Sequence, residues 1–264
     1  MEWYHEIVRI TVSIISQRPP GRQRRRQYQR GPAVIFTWNA DTVRWYHAAA
    51  AYTGYYQKLA ARLAPLLRRQ ERFCDMGCGL GLIDLELAAL VDDITCVDIS
   101  ETAIAALQDA ARARSIGNIR AIQGDAETLP GRWDTIYLSF FSSSHLERFA
   151  TRAGRLLVVV GGTSQQGFFP EKYRTKERNT IEREKAYLAE NGWPYTLTQA
   201  PMEFGQPFEN RDDARAFVRT YAPGIPDDEL EAFLAQRLEA TQSPRWPLFF
   251  SRVREVGIFE VGPF

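Results

Sequence analysis

From Arg72 onward, short apolar and β-branched runs alternate with stretches of helical length, and no other feature of this 264-residue chain restricts its fold as much. The pattern predicts strands at Arg72 to Met76, Ile94 to Asp98, Ile119 to Gln123, Trp133 to Ser139 and Arg155 to Val160. Helices are expected at Gly81 to Val91 and Glu101 to Ser115, between the first three strands, and at Ser143 to Ala153 after the fourth. Alternation at this pitch, joined by right-handed crossovers, makes a parallel sheet with helices on both faces. Further on, Arg174 to Asn191 reads as a charged helix, Tyr195 to Phe204 as a strand, and Asp212 to Tyr221 and Asp227 to Ala240 as two helices. Phe249 to Val261 closes the chain as a strand pair or one long bent strand.

The amino-terminal part has a different character. Trp3 to Ile15 is compatible with a short helix (Trp3, Ile7, Ile10 and Ile14 on one side) and with a strand in which Val8, Ile10, Val12 and Ile14 alternate with polar residues. Arg18-Pro19-Pro20-Gly21 would stop either one. Residues 1–30 hold seven arginines and two glutamates, so a whole-chain charge of +1 leaves about −4 on the remainder by subtraction. Arg22 to Arg30 reads as a basic arm or linker, with phosphate binding as its alternative. Residues 31–70 read as a helical lid, N-capped by Asp41 and running to about Arg69, with Pro65 near its end. It is rich in aromatics: Trp45, Tyr46, Tyr52, Tyr55 and Tyr56. Residues 71–264 then form the main domain.

Several classes are excluded at this level. No apolar run approaches the roughly 20 residues that span a bilayer, so no membrane partner is expected, and the acidic start (Glu2, Glu6) does not resemble a secretory signal. Cys74, Cys78 and Cys96 are too few for a disulfide framework, which suits a reducing cytoplasm. With His5, His47 and His145 scattered, they give no metal-ligand pairs either.

The chemistry concentrates at strand tips. The first strand runs into Asp75-Met76-Gly77-Cys78-Gly79-Leu80-Gly81, a turn whose glycines let backbone approach a ligand closely. A dinucleotide fingerprint would need its third glycine at position 82, which is Leu, and an acid two residues ahead of the glycines suits an ammonium group better than a pyrophosphate. Asp98, 23 residues later at the second strand's tip, can accept from both hydroxyls of a ribose, and Ile99 offers an apolar face to a purine. Asp125, with Ala126, stands after the third strand, where it can accept from an adenine amino group. Three acids and a glycine turn thus converge on one adenosine-shaped crevice at the carboxyl edge of the sheet.

At these residues the chain resembles the class I S-adenosylmethionine-dependent methyltransferases, over roughly residues 71–162. The resemblance implies a Rossmann-like α/β fold, a seven-stranded mostly parallel sheet of order 3-2-1-4-5-7-6 with strand 7 antiparallel, supplied by the strands at Tyr195 and Phe249. It implies S-adenosylmethionine as cofactor, with Asp75, Gly77, Cys78, Gly79, Gly81, Asp98, Ile99, Asp125, Ala126, Ser139 and Phe140 around it and Tyr46 closing over the sulfonium. The fourth strand ends in Ser139-Phe140-Phe141-Ser142-Ser143-Ser144, not in the Asn/Asp-Pro-Pro-Tyr of many amino-methylating members, which disfavours adenine N6, cytosine N4 and glutamine as acceptors. His145, just past that tip, is either a general base or a residue in the first turn of a solvated helix. About 40 residues (206–247) are inserted before the last strand, in a position to cover an acceptor; Phe217, Tyr221, Phe233 and Leu234 are expected to pack beside Phe140 and Phe141, with the aromatic N-terminal helix on the other side. The expected activity is methyl transfer to a small-molecule acceptor. An RNA methyltransferase using the basic arm and a non-catalytic cofactor-binding module are the alternatives.

Overall fold

The computed structural model describes residues 8–12, 36–141, 146–162, 167–174 and 179–264. Strand β1 (Val8–Val12) is followed by helices α1 (Ala40–Thr53) and α2 (Tyr55–Leu63). The alternating region then runs β2 (Arg72–Met76), α3 (Leu82–Leu87), β3 (Asp93–Asp98), α4 (Glu101–Ala113), β4 (Ile119–Gln123), β5 (Trp133–Ser139), α5 (Glu147–Ala150), β6 (Ala153–Gly161) and α6 (Ile181–Glu190). It is completed by β7 (Tyr195–Glu203), β8 (Gln206–Phe208), α7 (Arg211–Tyr221), α8 (Asp227–Arg237), β9 (Glu239–Ala240), β10 (Leu248–Phe250) and β11 (Val253–Val261).

The main sheet has the order β4-β3-β2-β5-β6-β11-β7-β1. Its first seven strands reproduce the expected 3-2-1-4-5-7-6 arrangement, with β11 antiparallel to both β6 and β7. The eighth, β1, pairs antiparallel with β7 from Val8↔Gln199 to Val12↔Tyr195, so of the two readings of Trp3 to Ile15 the strand is the one formed over these five residues.

Alternation along the central strands splits the core into two layers. Phe73, Tyr137, Leu157 and Val159 pack on one face with Leu59 and Leu63 of α2 and Leu107 of α4. Cys74, Met76, Ile136, Leu138, Leu156, Val158 and Val160 pack on the other with Phe149 of α5 and Leu188 of α6. Leu59 and Leu63 are fully buried, each worth about 1.5–3 kcal/mol, so α2 is tied firmly to the sheet.

Local chemistry corrects several boundaries. Asn39, not Asp41, caps α1: its side chain accepts from Thr42 N while the Thr42 hydroxyl oxygen accepts from Asn39 N. Gly54, in the left-handed region at φ +62°, splits the expected long helix into α1 and α2. The last helix stops at Arg237 because Glu239 and Ala240 pair with β10, which also pairs with β8, forming a second, three-stranded sheet that carries the insertion.

The insertion does not pack on Phe140 and Phe141. Phe217, Val218, Leu230 and Leu234 form their own core with Phe208 and Phe250 of the small sheet and with Trp45 of α1. Trp45 Nε1 donates to Asp213 Oδ1 (2.8 Å), which also accepts from Arg44 Nη2 (2.7 Å), fastening α1 to α7. Among the described residues, no helix is long and apolar enough to cross a membrane.

Candidate functional site

The parallel strands β2 to β6 bring their carboxyl ends to one edge, and the predicted residues gather there. In the turn after β2, Gly77, Gly79 and Gly81 all have positive φ (+82°, +53° and +61°), which side chains rarely adopt. The turn's amides point inward: Gly77 N and Cys78 N donate to Val97 O (2.7 and 3.0 Å), Gly79 N to Asp98 Oδ2 (2.8 Å) and Gly81 N to Cys78 O (2.9 Å). A phosphate cradle needs such donors free, so the turn is built for another ligand chemistry.

The glycines serve different purposes. A Cβ on Gly77 would lie 2.4 Å from Cδ2 of Phe141, and one on Gly79 2.9 Å from Cζ2 of Trp38, so two rings close directly onto the turn. At Gly81 the neighbour is Leu107 of α4, 2.4 Å away, which makes that glycine a packing requirement rather than a ligand approach. Cys78 also turns inward, its thiol facing that of buried Cys96.

Asp98 is held by two backbone donors, Gly79 N on Oδ2 and Ser100 N on Oδ1 (2.9 Å), leaving each oxygen with a further lone pair. Ser100 caps α4 by accepting from Ala103 N. Ile99 is 51% exposed although apolar, as a surface awaiting a flat partner would be. Asp125 is exposed and accepts from Glu127 N (2.8 Å), while Ala126 beside it is buried. The carboxylates of Asp98 and Asp125, the Ile99 face and the glycine turn are therefore a set of hydrogen-bond acceptors and a shape that an adenosine would fit.

Beneath the turn lies an arrangement that no motif announces. Asp75 at the end of β2 and Asp84 in the first turn of α3 are both buried, and Oδ1 of Asp75 and both oxygens of Asp84 meet no N–H or hydroxyl donor. Burial, then the charge of Asp84, pushes Asp75 far above the usual carboxylate range; burial raises Asp84 to about 7, offset by a hydrogen bond from Asp75. One proton is thus held between the two acids, with Asp75 as its carrier.

The far wall is aromatic. Trp38 packs edge-on against Phe36 (4.6 Å) and Tyr46 (4.9 Å), and Tyr46 leans on Phe204 (5.9 Å). Burial raises the hydroxyls of Tyr46, Tyr55 and Tyr56 above the ordinary phenol value, while the positive charge of Arg254 pulls each down. Ser139, half-buried, ends β5. Phe140 follows with φ +50° and a 41% exposed side chain, its amide fixed to Val159 O (2.9 Å). A bulky residue held there costs about 1–3 kcal/mol, a strain typical of functional edges.

His145 lies outside the described residues, as do the basic stretch Arg22 to Arg30 and Ser142 to Ser144. His47 is exposed and lines a separate cleft of about 270 Å³ with Arg44, Pro207, Arg245 and Trp246. No cluster of metal-ligating side chains occurs among the described residues. Trp38, Asp84, Phe141 and Arg254 escaped the sequence reading. Only Asp84 carried a local signal, as a second acid nine residues after Asp75 in an otherwise apolar helix start.

Residues 73–161 match the sequence family described as a methyltransferase domain. No curated protein matches the chain. Among solved structures, the fold is similar to that of the YcgJ protein of Bacillus subtilis, with a TM-score of 0.51 at 16% identity, covering 80% of this chain and 99% of that one. It is also similar to magnesium protoporphyrin IX methyltransferase of Synechocystis PCC 6803 with bound S-adenosylhomocysteine, with a TM-score of 0.48 at 17% identity, covering 80% of this chain and 84% of that one. At these identities the likeness is one of fold.

Proposed function

We propose that this chain, whose residues 73–161 match a methyltransferase domain, uses S-adenosylmethionine to methylate a small-molecule acceptor. The observation that carries the reading is the carboxyl edge itself: a carboxylate pinned by two backbone amides beside an exposed apolar face, walled in by rings. Asp98 would take the ribose hydroxyls, Ile99 one face of the purine and Asp125 its amino group. The acid pair Asp75–Asp84 lies under the glycine turn, where two carboxyls sharing one proton carry a single negative charge that would face the ammonium group.

When bound, the cofactor supplies a methyl group already activated on a sulfonium. The chain has then to align the acceptor and exclude water, an advantage that comes from orientation rather than from strong acid–base groups. Trp38 and Phe141 crowd the glycine turn, Tyr46 packs behind Trp38, and together they would shield the sulfonium from solvent, with aromatic faces stabilising a cation by about 0.5–2 kcal/mol. Tyr46, Tyr55 and Tyr56 remain protonated at neutral pH, so none of them is poised to deprotonate an acceptor. A narrow aromatic wall favours a small acceptor over a nucleic acid. The three free cysteines suit a reducing cytoplasm.

Two measurements test this. Asp98→Ala should weaken S-adenosylhomocysteine binding in calorimetry by about 1.5–3 kcal/mol, tenfold or more, as loss of a charge-assisted hydrogen bond does. With methyl-labelled cofactor and a cell extract, label should enter the small-molecule fraction. Label confined to precipitable RNA would overturn the small-acceptor reading in favour of RNA, and tight binding without any transfer would reduce the chain to a binding module.

A further inference from the structure

Arg254 is the second residue of β11, and because β11 runs antiparallel to β6, its start lies at the carboxyl edge beside the crevice. The guanidinium carbon is 4.1 Å from the centre of the Phe140 ring. Its Nη1 would be 3.3 Å from a Cβ on Gly161, the last residue of β6, so the side chain lies across the tips of β5 and β6. No carboxylate pairs with it among the described residues, and its Nε is buried without a hydrogen-bond acceptor. Tyr46, Tyr55 and Tyr56 lie close enough for the arginine's charge to act on their hydroxyls, Tyr55 within hydrogen-bond reach, and a second cation, Arg252, acts on Tyr46 and Tyr55 as well.

Arg254 is half-buried and its charge has no anionic partner among the described residues. Desolvating a charge is unfavourable unless an anion or several acceptors replace the lost water. A guanidinium stacked over a ring keeps its in-plane N–H groups available, the geometry that grips a carboxylate with two parallel hydrogen bonds. Phe140, held at positive φ with its ring outward, provides the platform, and Phe36, Trp38 and Tyr46 provide apolar surface nearby.

We propose that Arg254 is the acceptor-recognition residue of this site and that the acceptor is a carboxylate bearing a flat apolar body, its acid group on the guanidinium and its body against the aromatic wall. The proposal rests on the methyl-transfer reading. The other anion within reach of this edge is the carboxylate of the cofactor itself, and the two are separable by experiment. Arg254 lies over the tips of β5 and β6, whereas the glycine turn and Asp98 follow β2 and β3, on the other side of β5 in the sheet.

The test uses the full chain saturated with S-adenosylhomocysteine and titrated in a calorimeter with benzoate, cinnamate and indole-3-acetate, each beside its own carboxamide. At least one acid should bind about tenfold or more tightly than its amide, the margin of a charge-assisted hydrogen bond. Arg254→Gln should erase that preference while leaving S-adenosylhomocysteine affinity within about twofold, and Arg254→Lys should keep part of it. If acids bind no better than amides, or Arg254→Gln weakens S-adenosylhomocysteine as much as the acid, Arg254 does not read the acceptor. Failure of the wild-type chain to bind S-adenosylhomocysteine would instead remove the methyl-transfer reading, and this proposal with it.

Discussion

The two edges of the main sheet are built from the same kinds of residue and treat them in opposite ways. At the amino edge, Arg155 at the start of β6 donates to Glu71 Oε2 (2.9 Å) and to Glu260 Oε1 (2.6 Å), and its Nε donates to Thr135 Oγ1 (2.9 Å). The Thr135 hydroxyl in turn donates to Glu71 (2.7 Å), and Arg155 also donates to Leu66 O. Every buried charge there has partners. At the carboxyl edge, Asp75 and Asp84 face each other and a thiol with no cation beside them, and Arg254 pairs with no acid among the described residues. The first edge is satisfied by the chain, and the second is left for something else to satisfy. Unpaired buried groups persist where function repays them, which is why their distribution locates a site as well as any motif does.

The contrast can be broken most completely at the glycine turn. Gly79→Val would force a branched side chain into left-handed backbone and against the ring of Trp38, and S-adenosylhomocysteine binding should become unmeasurable in calorimetry while the fold survives by circular dichroism. Normal affinity in this variant would move the cofactor site away from the turn.

A middling effect, of another kind, is expected at the paired edge. Arg155→Ala strands Glu71, which is nearly fully buried, and should lower unfolding free energy by about 3–5 kcal/mol with cofactor affinity of the folded fraction unchanged. A denaturant midpoint close to wild type would mean that this network is ornamental.

The smallest effect sharpens the comparison by pH. Asp75 and Asp84 titrate higher in the folded protein than in the unfolded chain, so over a window that opens at about pH 4 the native state holds extra protons, up to about pH 7 on Asp84 and beyond that on Asp75. Their contribution to stability is complete below that window and is lost as pH rises through it. Asp84→Asn removes one titrating group and offers Asp75 a permanent donor. The fall in Tm between about pH 6 and 8 should be shallower in this variant than in the wild type, a difference in which other titrating groups cancel. Parallel profiles would show that the acids do not share a proton.

What sequence could anticipate follows from locality. Asp75, Asp98 and Asp125 were legible because each stands within a few residues of a strand end, and parallel strands bring such ends together whatever else the chain does. Periodicity assigned Tyr46 and His47 to one aromatic helix, but residues adjacent on a helix point about 100° apart, and only Tyr46 joins the rings over the glycine turn. The insertion was expected against Phe140 and Phe141. Of its two expected partners only the aromatic helix is met, through Trp45, because a short ribbon of β8, β9 and β10 carries the insertion there.

The sequence by itself determined the alternating fold, the order of its strands once the family resemblance was drawn, and the acids at three strand tips. Tertiary structure alone decided that Asp84 would lie under Asp75, that Trp38 would cap Gly79 from 41 residues away, and that Arg254 would reach the tips of β5 and β6. The division has one physical cause. Strand and turn formation depend on residues a few positions apart, whereas the burial that sets a carboxyl's proton or strands a guanidinium depends on which distant side chains exclude its water.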